Sequence, residues 1–152
     1  MRQKVKTTAT RSAIMRAVRS KHTGPELVLR HLLSRMGYRY RLHNSFLPGK
    51  PDVSFSAKKK VIFLHGCFWH QHSRCKKSSF PKSNLSYWTP KLRSNVERDQ
   101  RVRRALRKLG WEVLVVWQCG LRNEKATRIR LKQFLGSPSS RAKRSASNMT
   151  SS

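Results

Sequence analysis

With 152 residues the chain can build one domain with a true core, and 35 Lys and Arg against six acids give it a net charge of +29. Self-repulsion of that size calls for a polyanionic partner, nucleic acid first; no apolar run reaches the roughly 18 residues of a membrane span, and "MRQKVKTTAT" lacks a signal peptide's apolar stretch. Three cysteines cannot all pair within one chain, which argues against a disulfide scaffold and for reduced, metal-bound thiols in a cytoplasmic protein.

Taken in order, residues 1–8 read as a basic mobile arm, followed from about Ala9 by an amphipathic helix with Ile14, Ala17 and Val18 on one face. Thr23-Gly24-Pro25-Glu26 opens a second helix, with a capping Thr three residues before Glu26 and Pro at the first helical position. Leu29, Leu32, Leu33 and Met36 continue it as an apolar stripe, and Gly37 stops it. Tyr38, Tyr40 and Leu42 alternate as a short edge strand. "FLPGKPDVSF", "AKKK" and the apolar run at 60–65 predict a hairpin.

Residues 66–88 have little periodicity and need something to hold them. Thr89-Pro90 is expected to open the longest helix, with Leu92, Val96, Val102, Ala105, Leu106 and Leu109 inward and Gly110 as its stop. "WEVLVVW" predicts a strand buried on both faces. A last helix over 124–135 carries Ile129, Leu131 and Phe134, and 136–152 is a low-complexity tail. The order predicts an α/β domain, a mixed sheet with helices packed on it.

Chemistry concentrates in "VIFLHGCFWHQHSRC". Cys67, His72 and Cys75 are spaced to converge on one ion, and thiolate with imidazole suits structural zinc. The fourth ligand is either Cys119, just past a core strand, or His70. Asp52, entering a strand beside the hairpin partner that runs into His65, is a carboxylate able to hold Mg²⁺, or else a turn Asp capping its own backbone. Glu26 closes the capping box. Asn95 and Asp99, four apart, share the inward face of the long helix while Glu97 faces out; Asp99 reads as a structural partner, with orientation of a histidine as its other possible use. His65 and His70 are candidate general bases near neutral pH. Phe68, Trp69 and Trp88 either wedge into a duplex or pack around the zinc.

"ATRSAIMRAVRS", "LPGKPDVSF", "VIFLHGCFWHQH", "NVERD" and "LGWEVLVVWQC" together resemble the very short patch repair (Vsr) endonucleases, over about residues 9–135. The resemblance implies a restriction-endonuclease-like fold with a structural zinc, and Mg²⁺-dependent nicking 5′ of the thymine in a T·G mismatch left by deamination of 5-methylcytosine. It implies double-stranded DNA as partner, a functional link to a cytosine-5 methyltransferase, and a monomer in a bacterial cytoplasm, associated with the nucleoid. By position, Asp52 and the main-chain carbonyl of Leu64 would hold Mg²⁺, and Glu26 would act through a metal-bound water. His70 would be the base, with His65 assisting at the phosphate. Cys67, His72, Cys75 and Cys119 match the zinc ligands, and Phe68, Trp69 and Trp88 the duplex wedge. Arg11, Arg16 and Arg19 on the first helix, with Asn95, are the further DNA contacts expected. Leu64 stands where the family commonly has threonine, and His72–Cys75 is one residue longer than the family pattern. Two other readings are a non-catalytic zinc-containing nucleic-acid-binding structural protein and a nuclease cutting ordinary duplex sites.

Overall fold

In the central strand, successive side chains alternate between two helical layers, and that alternation places the site. The computed structural model describes residues 24–138; the basic arm, the first helix with Arg11, Arg16 and Arg19, the capping Thr23 and the tail beyond 138 lie outside the described residues.

Helix α1 (Gly24–Arg35) buries Leu29, Leu32 and Leu33 as its spacing predicts. It closes on Gly37 at φ 87°, with Gly37 N–H donating to Ser34 and Tyr38 N–H to Leu33, a Schellman arrangement that only a left-handed residue completes easily. Strands β1 (Arg41–Leu42), β2 (Val53–Phe55) and β3 (Lys60–His65) run antiparallel in sequence, Leu42 opposite Val53 and Val53 opposite Ile62. A long crossover then brings β4 (Glu112–Trp117) parallel to β3, with His65 opposite Trp117, so the sheet is mixed with order β1-β2-β3-β4.

Ile62 and Val116 face α1 and α3 (Glu124–Leu135), meeting Leu29, Leu33, Leu131 and Leu135 in the larger core. Val61 and Phe63 face the other way, against Leu106 of α2 (Leu85–Lys108), with Val102, Val113 and Val115 around them. His65 continues the Val61, Phe63 row by strand period. It therefore ends a core row on the α2 side.

Three expectations need correction. Helix α2 begins at Leu85, four residues before Thr89, and Pro90 lies inside it; Tyr87 and Trp88 are helical, and the contact of Trp88 with Phe68 at 5.3 Å helps hold the turn that Pro90 weakens. Leu109 caps α2 and is exposed, because the chain leaves the helix there toward Gly110. Strand β4 is apolar on both faces, but only Val116 is fully buried, since among the described residues it is an edge strand. No helix among the described residues is long and apolar enough to cross a membrane.

Candidate active site

Beyond β3 the chain coils back on itself: His70 N–H donates to Gly66 C=O and His72 N–H to Cys67 C=O. The coil returns His70 to His65, their rings stacked at 3.9 Å and 7°. Asp99, projecting from α2, sets its Oδ2 2.5 Å from His70 Nδ1. Asp99 thus orients a histidine, the use that the sequence reading placed second. An Asp on Nδ1 leaves Nε2 as the ring atom for chemistry. Burial first, then the charges of His70 and Arg103, push the His65 pKa down to about 4 against the opposing pull of Asp99, so His65 is neutral at neutral pH.

Asp52 stands at the entry of β2, where its Oδ2 accepts a 2.7 Å hydrogen bond from Leu64 N–H. Burial raises its carboxyl above the ordinary value; the Leu64 N–H opposes that, Glu26 adds to it and His43 opposes it. Glu26 is only 2% exposed and its Oε1 lies 2.8 Å from His43 Nε2. Glu26, His43 and Asp52 each place a ligand-type atom within 4.8 Å of the others. A buried and a half-buried carboxylate drawn together from separate elements repel, and a hard cation with oxygen ligands would relieve them.

The sulfur cluster closes as the spacing suggested, with Cys119 as the fourth member. Ligand atoms of Cys67, His72, Cys75 and Cys119 lie within 4.8 Å of one another, and Cys119 Sγ is 3.4 Å from His72 Nδ1. A zinc tetrahedron has edges of about 3.4–3.8 Å with such donors, so three thiols and an imidazole fit it. Burial and the neighbouring thiols push Cys119 up to about 11, while the Lys77 N–H pulls Cys75 down. Between His72 and Cys75 the chain turns through Arg74 at φ 59°, with Gln71 also left-handed at 47°. His72 stacks on Trp117 at 4.1 Å, and Trp117 meets His65 edge-on at 5.3 Å, so one indole touches both the cluster and the histidine pair.

Phe68, Trp69 and Trp88 pack on one another, with centroids 5.3 to 5.9 Å apart. All three are half-buried. Asn95 Nδ2 donates to the Trp69 carbonyl at 3.1 Å, fixing the loop that carries them. A groove of about 640 Å³ is lined by Asp52, Leu64, His65, His70 and Asp99, with Lys50, Arg98 and Arg103 supplying positive charge.

Three residues escaped the sequence reading. His43 was legible only through the β1–β2 register, which carries it opposite Asp52. Tyr87, exposed and 5.0 Å from Trp88, extends the aromatic group. Arg103 is four residues beyond Asp99 on α2, one helical turn along the same face.

An acid at the entry of β2, a histidine–aspartate pair beyond β3 and a basic groove over a mixed sheet are the parts that an enzyme acting on a phosphate-bearing polymer needs. A family model described as DNA mismatch endonuclease Vsr matches residues 3–77. The chain is 50% identical over 125 residues to Type II nicking enzyme V.XorIIP of Xanthomonas oryzae pv. oryzae, a match spanning 82% of this chain and 91% of that one. It is 43% identical over 129 residues to Type II nicking enzyme V.NmeAIP of Neisseria meningitidis, spanning 85% and 91%. With the DNA mismatch endonuclease Vsr of Escherichia coli it shares 44% identity over 120 residues, spanning 78% and 76%. The chain belongs to the Vsr family of DNA mismatch endonucleases, and is an endonuclease acting on DNA.

Proposed function

We propose that the chain is a Mg²⁺-dependent, strand-specific endonuclease that nicks 5′ of the thymine in T·G mismatches arising from 5-methylcytosine deamination. The observation that carries this reading is the convergence of Asp52, His65, His70 and Asp99 on one basic groove, with His70 directly following the Phe68–Trp69 pair in the chain. Asp52 and the Leu64 carbonyl are the oxygens that would hold the cation. The Leu64 N–H points to Asp52, and in a strand the carbonyl of the same residue faces the same edge; a leucine side chain in place of threonine leaves that ligand intact. Mg²⁺, when bound, supplies charge that offsets the charge developing on the phosphate.

His70, with Nδ1 engaged by Asp99, takes the proton of the attacking water at Nε2. Neutral His65 assists at the phosphate, and Glu26 orders water beside Asp52. Lys50, Arg98 and Arg103 hold the flanking phosphates. Phe68, Trp69 and Trp88 form the wedge, with Asn95 holding its backbone, and a mismatched pair unstacks at lower cost than a matched one. Zn²⁺ in the Cys67, His72, Cys75, Cys119 cluster would pin the wedge loop to the end of β4. Arg11, Arg16 and Arg19 would grip the opposite groove. The same reading takes residues 9–135 as one restriction-endonuclease-like domain between a basic arm and a tail, acting as a monomer in the bacterial cytoplasm and nucleoid, in company with a cytosine-5 methyltransferase.

The test is nicking of labelled duplexes carrying one T·G in each of several cytosine-5 methyltransferase sites, beside the matched duplexes, with Mg²⁺. A nick 5′ of the thymine is expected, reduced about 10²–10⁴-fold in His70→Ala and lost in Asp52→Ala while both still bind DNA. Equal cutting of matched duplexes would instead identify a nuclease for ordinary sites. Binding without cleavage in any context would point to the structural reading.

A further inference from the structure

His43 stands in a place that a side chain of its kind seldom occupies by accident. It follows the two-residue strand β1 and adopts φ 46°, in the left-handed region that L side chains rarely take. Its neighbours lock that turn: Asn44, buried, accepts at Oδ1 from Phe46 N–H, and its amide reaches Ser54 Oγ at 3.5 Å. The His43 N–H donates to the Asp52 carbonyl at 3.2 Å, tying the turn to the residue before β2. The consequence is an imidazole 19% exposed with Nε2 2.8 Å from Glu26 Oε1, whose side chain is 3% exposed.

Glu26 belongs to the first turn of α1 and Asp52 to the β2 entry. His43, bonded by its main chain to one and in side-chain contact with the other, is the link between two acids that no shared element aligns. Imidazole is a poor ligand for a hard cation beside carboxylates. Its use here is therefore geometric: it limits the rotamers of a buried Glu whose carboxylate must face Asp52 rather than the helix N-terminus. We propose that His43 is a positioning residue that aims the Glu26 carboxylate at Asp52, so that the two acids meet a divalent cation in one preset arrangement. The inference rests on the functional reading above and deepens it at the acid pair.

The experiment uses the full chain with the Cys/His cluster saturated with Zn²⁺ and bound to a T·G duplex. Mn²⁺ binding is read by its electron paramagnetic resonance signal, together with thermal melting and the Mg²⁺ dependence of nicking. His43→Ala is expected to weaken Mn²⁺ binding about tenfold and to raise the Mg²⁺ needed for half-maximal rate by a similar factor, with KM for duplex unchanged. His43→Gln, which keeps a donor nitrogen at similar reach, is expected to recover most of that loss. The proposal is overturned if His43→Ala binds Mn²⁺ within twofold of the wild type, or if the Ala and Gln variants lose binding equally and only in step with their melting temperatures. Should His43→Ala fail to fold, His43→Gln against His43→Leu decides the same point. Should the wild type nick no T·G duplex, the functional reading fails, and the Mn²⁺ series still tests the role of His43.

Discussion

Two candidate metal clusters lie close together at the ends of β2 and β3, and they are built in opposite ways. Cys67, His72 and Cys75 come from one continuous loop and need only Cys119 from the end of β4 to complete a four-donor set. Three thiols and an imidazole suit a closed tetrahedron that holds chain segments together. Glu26, His43 and Asp52 come from three separate segments, and Asp52 borders an open basic groove. The oxygens of Glu26 and Asp52 suit a hard cation that keeps water and accepts a phosphate. The lesson is that donor chemistry and the origin of the donors agree: a local sulfur set staples a loop, whereas a dispersed oxygen set requires the fold already to be in place. Trp117 touches His72 on one side and His65 on the other, so the staple also supports the reactive pair.

The comparison breaks most visibly at Cys119. Cys119→Ser should empty the sulfur cluster and lower the thermal midpoint by roughly 10 °C or more, with metal content per chain as the second readout. If the midpoint and metal content stay unchanged, the staple is not what holds the loop. Asp99→Asn is smaller in scope, leaving both clusters intact while losing the anion that fixes the His70 tautomer. Nicking rate should fall about 10²-fold or more with KM little changed, measured by single-turnover kinetics.

Asp52→Asn sharpens the contrast on the oxygen side. Because burial raises the folded-state pKa of Asp52, the folded form holds this proton more tightly than the unfolded chain does. The stability it contributes is complete below the unfolded value and is lost as pH rises through the raised folded value. Without divalent metal at neutral pH, Asp52→Asn should therefore melt a few degrees higher than the wild type while being inactive, and the gain should vanish in acid. The smallest effect concerns His65. Its pKa is lowered from 6.5 to about 4, so as pH falls through that window the unfolded chain takes up a proton that the folded one refuses, and stability declines. His65→Gln should flatten that part of a melting-temperature profile; an unchanged slope would assign it to other groups.

How much of this was legible varied with the range of the interactions. Helices α1 and α3 were readable to within a residue or two because their apolar stripes are local: the Leu29–Leu33 spacing with Gly37 as stop in α1, Leu131 and Phe134 in α3. Helix α2 was misplaced at its start because Pro90 is a local signal, whereas the turn before it is held by the contact of Trp88 with Phe68, twenty residues earlier. Leu109 was read as inward with the α2 stripe, and only the exit of the chain toward Gly110 exposes it.

The sequence by itself determined the chain's charge, the alternation that builds β3, the histidines and cysteines gathered just past its end, and the short inventory of six acids. It also carried the family resemblance, since five ordered blocks depend on residue identity and not on geometry. What only the tertiary structure decided is which of those groups meet: Asp99 with His70, Glu26 with His43, and Cys119 with the loop cysteines. Each pairing joins residues 17 to 52 positions apart, beyond the reach of any helical or strand period. They are set by the register of β1 to β4 and by the packing of α2 across the sheet.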